Sequence, residues 1–309
     1  MAEQKKSIIT CAITGATLSP SMSPYLPYTP DQIVQQAIDA SHAGAAIIHL
    51  HARRPEDGCP TNDPKVWMQY LPRVKAGCDS IINMSTGGGG GPEERLKPVL
   101  MAQPEMATIN VSSMTYGMFK KAEGFSNWKF DWEKDFYGPK SYSVVAENKI
   151  SDVDRMIDLL TDKGITIEFE CYDVGHIYVL AYLIEKKKFN RPYMLQFITG
   201  ILGGSPSDVE HLLHMKRSAE QVLGTDYELC LQGTKKNNMQ TAAYAGMWGH
   251  NARVGQEDNL FDARGVPYKS NADQVTKLRR IFEELYIDIA TPEEARKRLG
   301  TKGKNNQAF

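Results

Sequence analysis

The chain lacks the bulk features that would point to a large charged or lipid partner. Its 36 Lys and Arg are balanced by 37 Asp and Glu, giving a formal charge of −1 with no Lys/Arg block. That leaves no electrostatic footprint for nucleic acid or an anionic membrane surface. No run approaches the roughly 20 apolar residues that a spanning helix needs. The charged start, Met1–Ser7, is followed only by the short apolar stretch Ile8–Ile13, too brief for the core of a secretion signal. Cysteine is scarce: Cys11, Cys59, Cys78, Cys171 and Cys230 are scattered and never form C-x-x-C, which excludes a disulfide frame and a zinc knuckle. No G-x-G-x-x-G follows the first apolar run, and no Lys-Ser/Thr follows the glycine run, so dinucleotide and Walker-type phosphate signatures are absent too. The expectation is a soluble cytoplasmic protein with reduced, mostly buried thiols, and most proteins of that kind are enzymes.

Eight short apolar, β-branched runs recur along the 309 residues: Ser7–Thr14, Ala46–His51, Ile81–Ser85, Met106–Val111, Thr166–Cys171, Tyr193–Ile198, Tyr227–Leu231 and Ala252–Gly255. Helix punctuation lies between them. Thr29-Pro30-Asp31 supplies an N-cap and a first-turn proline. Ser151-Asp152 opens an amphipathic segment that closes at Gly164, and Ser207-Asp208-Val209-Glu210 approximates a capping box. Asn271–Tyr286 has apolar residues at helical spacing, and Thr291-Pro292-Glu293-Glu294 begins a last short helix. Strand alternating with helix implies parallel pairing through right-handed crossovers. Eight such units in one chain of this length predict an α/β fold, a (β/α)8 TIM barrel, as a single domain spanning residues 1–309. A doubly wound open sheet is the rival.

One segment interrupts the rhythm. Residues 115–149, after the fourth strand, are far longer than the ~2–6 residues usual for such a connection. They carry nine aromatic residues, so they are expected to pack over the barrel mouth or against a neighbouring subunit rather than remain disordered. Residues 302–309 are expected to be a frayed tail.

Function in a barrel gathers at strand C-terminal ends. The second strand ends His49-Leu50-His51, and residues two apart on a strand point the same way, so two imidazoles can share one metal ion. Barrel closure places strand eight beside strand one, which brings Glu257 of Arg253-Val254-Gly255-Gln256-Glu257-Asp258-Asn259 within reach of that pair. A His2Glu set with an open position is a catalytic zinc arrangement. The bland alternatives are two core histidines and a solvated acidic turn in which Arg253 pairs one carboxylate. Ser85-Thr86 and Gly87–Gly91 follow strand three and precede a helix start, where bare N–H groups receive an anion. The turn Gly200–Ser205 is a second glycine-rich seat for a phosphate-bearing group, or an ordinary loop.

Taken together, Ile13-Thr14-Gly15-Ala16, His49-Leu50-His51-Ala52-Arg53, Ser85-Thr86-Gly87-Gly88, Pro104–Asn110, Gln196-Phe197 and Arg253–Asn259 resemble the zinc-dependent β-keto acid cleavage enzymes, which include 3-keto-5-aminohexanoate cleavage enzyme. The resemblance runs nearly the whole chain in order. It implies a TIM barrel assembled as a homotetramer, a dimer of dimers. It also implies condensation of a β-keto acid with acetyl-CoA, releasing acetoacetate and a new acyl-CoA. Residue by residue, His49, His51 and Glu257 match the zinc ligands. Ser85, Gly88 and Thr108 match positions that hold the keto acid. Asp258 matches the base and Arg253 the cation beside it, so Asp258, Arg253 and Ser85 form the implied catalytic set.

Two departures bear on substrate. Thr17 stands where the amino-substrate enzyme has an acid, and a hydroxyl cannot pair with an ammonium as a carboxylate does. A neutral or differently charged keto acid is therefore expected, with Thr17 as a binding residue. The family's Gly-Ile-Gly-Arg after strand seven is Gly233-Thr234-Lys235-Lys236 here, which offers a point charge without the bidentate fork. Two rival readings are a zinc hydrolase or aldolase on the same barrel and a non-catalytic metabolite-binding homologue. Amidohydrolases, however, place H-x-H on the first strand and add histidines after strands five and six. Here the pair lies on strand two. His176 follows strand five, but no His follows strand six before His211, inside the next helix.

Overall fold

The computed structural model describes residues 5–262 and 264–309, without the side chains of Met118, Lys121 and Lys140; Met1–Gln4 of the charged start lie outside the described residues. Eight parallel strands close into a barrel. They are β1 (Ile9–Ala12), β2 (Ile47–Leu50), β3 (Ile81–Met84), β4 (Met106–Asn110), β5 (Thr166–Cys171), β6 (Met194–Thr199), β7 (Glu228–Gly233) and β8 (Asn251–Val254). Each coincides with one of the eight apolar runs. Closure occurs between β8 and β1, where Ile9 pairs with Ala252 and Cys11 with Val254.

Alternation along the strands separates two environments. Ile48, Leu50, Ile82, Met84, Ile109, Ile167, Phe169, Leu195, Phe197, Leu231 and Val254 face the helices and form one continuous core with them. The intervening positions face the barrel axis. At its N-terminal end the interior is apolar, with Ile47, Ile81, Met106, Met194 and Cys230 packed against Ala290, Ala295 and Leu299. Higher up, the axis-facing residues are His49, Asn83, Thr108, Glu168, Gln196 and Arg253, all buried and all polar. The interior therefore turns from oil to ions along its length.

Local signals explain the helix starts. Thr29 and Gln32 form a capping box before Pro30–His42, and Thr291 and Glu294 form one before Pro292–Leu299, each cap stabilising its helix by about 1 kcal/mol. Asn271–Glu284 is capped from Ser270. Two expected starts move. The helix Ile150–Asp162 begins ahead of Ser151 at the uncapped Lys149, and Asp208, not Ser207, caps Val209–Leu223 by accepting from the His211 N–H.

The expectation of a frayed tail is corrected. Lys304–Asn306 form a short 3-10 turn, Ala308 N–H bonds the Ala102 carbonyl at 2.9 Å, and Phe309 packs on the core with Lys75 over its ring. An aromatic last residue and a buried Gln307 give this tail something to bury, which the polar run before them conceals.

Residues 114–146 leave and rejoin the barrel through an antiparallel pairing of Met114–Thr115 with Val145–Ala146. Between these lies the helix Asp131–Tyr137. Its buried Glu133 accepts from Ser21 Oγ (2.6 Å) and from the N–H groups of Lys129 and Phe130, while Trp132 Nε1 donates to the Asp57 carbonyl. Trp128 stacks on Tyr137, whose hydroxyl donates to the Thr17 carbonyl at 2.9 Å. The segment is thereby pinned to the loops after β1 and β2.

Candidate active site

His49, the penultimate residue of β2, faces the axis, and His51 follows two residues on, just past the strand end. Their rings meet edge to face with centroids 5.1 Å apart. Glu257, after β8, reaches both: its Oε1 lies 3.2 Å from His51 Nε2 and its Oε2 3.6 Å from His49 Nε2. Two close backbone approaches allow this. A Cβ on Gly255 would sit 2.1 Å from the Ala12 carbonyl oxygen, and one on Gly15 would sit 2.3 Å from Glu257 Cγ; both residues have positive φ. The glycines after β1 and β8 thus let the last loop lean over the first strand.

The trio fits a metal ion. One ligand atom from each residue lies within 4.8 Å of the others, and no other such group of three occurs among the described residues. Glu257 Oε2 is buried without a hydrogen-bond partner. Burial, only partly opposed by Glu257, holds the His49 imidazole well below its usual pKa, so it is neutral and has a lone pair to give. Burial pushes Glu257 up, but Arg253 and the two histidines outweigh it and keep the carboxylate well below its ordinary range.

Arg253, on β8, is 2% exposed and binds three groups. Nε and Nη2 reach Asp258 Oδ2 and Oδ1, both at 3.0 Å, and Nη2 also reaches Glu257 Oε1 at 2.7 Å. Nη1 donates to Gln196 Oε1 at 3.1 Å. The fork geometry is one that only a guanidinium supplies.

His51, Arg253, Glu257 and Asp258 line a cavity of about 520 Å³ at the C-terminal mouth of the barrel, together with Thr17, Ser85, Gly87–Gly89, Asn110, Tyr116, Glu170, Tyr172 and Gln232. Asp135, Phe136 and Ser141 of the long segment line it from above. Ser85 Oγ accepts from Gly87 N–H at 3.1 Å, which leaves its own proton to donate. Of the residues expected at the site, Thr108 and the buried His49 are not at the cavity wall. Thr108 is also displaced from its expected role. It is buried in β4, and its carbonyl accepts from Thr86 Oγ1 at 2.7 Å. Asn110, one inward position further along β4, takes the wall instead.

Residues 6–301 match the family described as beta-keto acid cleavage enzyme. The chain belongs to this family. Among curated relatives, this β-keto acid cleavage enzyme is 44% identical, over the full length of both chains, to "3,5-dioxohexanoate:acetyl-CoA acetone transferase" of Paraburkholderia graminis. It is 32% identical to "3-keto-5-aminohexanoate cleavage enzyme" of Acetoanaerobium sticklandii, covering 96% of this chain and 98% of the relative. Among solved structures, apo ObcA superposes with a TM-score of 0.68 at 17% identity, covering 90% of this chain and 66% of that one. Type I 3-dehydroquinate dehydratase from Clostridium difficile superposes at 0.51 with 10% identity, covering 94% and 96%. These likenesses are of fold.

The sequence reading of this β-keto acid cleavage enzyme passed over Glu168 and Glu170. Both face the axis from β5, and burial pushes them up to about 7 and about 8 respectively, against the pull of Arg253. Glu170 lies on the cavity wall, 3.8 Å from Arg253 Nη1, with the Tyr172 hydroxyl 3.4 Å away. A signal was present: two acids two apart inside an otherwise apolar strand, Thr166-Ile167-Glu168-Phe169-Glu170-Cys171, have the same spacing as the histidine pair. Among the described residues no helix is long and apolar enough to cross a membrane.

Proposed function

We propose that this enzyme is a zinc-dependent β-keto acid:acetyl-CoA acyltransferase whose preferred substrate is a neutral dioxo acid of the 3,5-dioxohexanoate type. The observation that carries the reading is the Arg253–Asp258 pair set beside the His49–His51–Glu257 trio, of which His51 and Glu257 line the same cavity as the pair. His49, His51 and Glu257 would hold the zinc ion, which supplies Lewis acidity toward the β-carbonyl oxygen. Ser85 Oγ and the N–H groups around Gly88 take the substrate carboxylate. Asp258, held in the Arg253 fork, removes a proton from C2, between the β-carbonyl and the carboxylate. The resulting carbanion attacks the thioester carbonyl of acetyl-CoA. The CoA thiolate adds back to the former β-carbonyl, and the C2–C3 bond breaks. C2 takes back the proton from Asp258, carbons 1 and 2 leave with the acetyl group as acetoacetate, and the remainder leaves as acyl-CoA, which is acetoacetyl-CoA for a 3,5-dioxo acid. No acyl-enzyme forms, in keeping with five cysteines that are free, four of them buried.

Thr17 supports a neutral distal group, as does the 44% identity to the dioxohexanoate enzyme. The roles of Ser85, Gly88 and Thr17 as substrate contacts, cytoplasmic location and assembly as a homotetramer belong to the same reading. Thr108 enters it as a support for the Thr86 hydroxyl rather than as a direct contact. The test is acetoacetate release from a panel of β-keto acids, with and without acetyl-CoA, and light scattering of the same preparation. Highest kcat/KM for 3,5-dioxohexanoate is expected; turnover that proceeds unchanged without acetyl-CoA overturns the reading in favour of a hydrolase or aldolase.

A further inference from the structure

Beneath the cavity floor lies a carboxyl that substrate cannot touch. Glu168 is wholly buried in the barrel axis and is not at the cavity wall. It has no ion-pair partner within 4 Å among the described residues. Each of its oxygens instead accepts from a different side-chain amide: Oε2 from Asn83 Nδ2 at 2.5 Å and Oε1 from Gln196 Nε2 at 2.7 Å. A primary amide that gives its NH2 to one neighbour must present its oxygen to the other.

For Gln196 the other neighbour is Arg253. A guanidinium has donors only, and Nη1 does donate to Gln196 Oε1. A flipped Gln196 would set NH2 against N–H, leaving two buried donors facing one another and Glu168 facing an acceptor. For Asn83 the other neighbour is His49, its register partner on the adjacent strand. Asn83 Oδ1 and His49 Nδ1 are both buried without a hydrogen-bond partner. With its NH2 committed to Glu168, Asn83 can offer this ring only an acceptor. An acceptor so placed would favour the imidazole with its proton on Nδ1, leaving the lone pair on Nε2, the atom facing Glu257.

We propose that Glu168 is a positioning residue which, through two opposed amides, fixes the tautomer of His49 on one side and the orientation of the Arg253 fork on the other. One acceptor group thereby serves both the ligand set and the base, and neither arm needs Glu168 to meet substrate. The proposal rests on the proposed function for its activity readout and stands apart from it through metal binding.

The test is Glu168→Gln, nearly isosteric but with an NH2 in place of one of the two accepting oxygens, so that both amides can no longer be oriented at once. Expected are a kcat lower by about 10–100-fold with the acetyl-CoA KM unchanged, and zinc held about 10–100-fold more weakly in competition with a chromophoric chelator. The arms are then separated. Gln196→Met should lower kcat while leaving zinc affinity at the wild-type value, and Asn83→Ala should weaken zinc. Wild-type kcat and zinc affinity in Glu168→Gln overturn the proposal. If that variant does not fold, the two arm variants decide: equal loss of zinc in both, or no loss in either, overturns it. Absence of acetyl-CoA-dependent turnover in the wild-type protein sinks the proposed function instead, while the zinc comparison still judges Glu168.

Discussion

Arg253 grips Asp258 through two bonds of 3.0 Å, one to each carboxylate oxygen, with the whole guanidinium buried. A carboxylate held by both oxygens cannot rotate, so the lone pair aimed at the cavity is fixed. Replacing Arg253 by Lys keeps the charge and loses the fork. Steady-state assays of Arg253→Lys are expected to show kcat reduced by about 10²-fold or more. Arg253→Ala is expected to cost about 3–5 kcal/mol of stability as well, because it strands Asp258 and Glu257 as buried charges. Urea melts distinguish the two variants.

Asp258→Asn removes the proposed base without touching the trio. The expected outcome is a kcat lower by roughly 10²–10⁴-fold with zinc content unchanged by elemental analysis. His49→Ala is expected to lose both zinc and turnover. Equal zinc loss in the two variants would mean that Asp258 belongs to the ligand set.

Glu170 sets a pH dependence. Its proton is held to about 8 in the folded chain, against an ordinary glutamate value of 4.5 when unfolded. The protonated form therefore favours folding below about 4.5, and that advantage is lost progressively as pH rises through about 8. In chelator-treated protein, Glu170→Gln is expected to gain stability relative to wild type across that window and to show none of the slope. Parallel denaturation curves at pH 5 and pH 9 check it; identical slopes in the two proteins would falsify the assignment.

The roof over the cavity hangs on Glu133, whose carboxylate gathers Ser21 and two backbone N–H groups. Hydrogen bonds hold this group below the ordinary glutamate range even though burial pushes it up. Glu133→Ala is expected to loosen Asp135 and Phe136 over the cavity. The KM for the keto acid should rise about 10-fold, which is roughly 1.4 kcal/mol, with far-ultraviolet dichroism unchanged.

Arg53 belongs to the same His49–Arg53 string as the histidines but serves another end. It is fully buried and donates to Thr14 Oγ1, the carbonyls of Thr14 and Leu18, and the Gly58 carbonyl. Four neutral acceptors surround a cation, and burial lowers it to about 10. Arg53→Met is expected to unfold the loop that carries Thr17, detected as faster amide exchange at residues 14–18, with a stability loss of about 3 kcal/mol.

The barrel was legible because its strands bury both faces and so read as unbroken apolar runs, and because turns and caps between them carry strong local chemistry. His49, His51 and Glu257 could be placed together before any coordinates, since strand periodicity and barrel closure are enough to do it. Thr108 and Asn110 could not be separated that way. Both face inward, and only the height of the cavity floor, set by the bulk of Glu168, Gln196 and Arg253, decides which one meets the cavity. Glu168 and Glu170 were hidden for a related reason: inside a strand, an acid counts as polar until its neighbours across the axis are known. The docked tail depends on one phenylalanine meeting Lys75, 234 residues away in sequence, for which no local pattern exists.

The trio also carries a constraint in time. His49 and His51 leave the ribosome early, whereas Glu257 follows only after all eight barrel strands have been made. A nascent chain can therefore offer two of the three ligand groups for most of its synthesis and the third only as the barrel shuts. Any ion that settles there binds the closed form far better than the open one, and so acts as a latch on the seam between the first strand and the last.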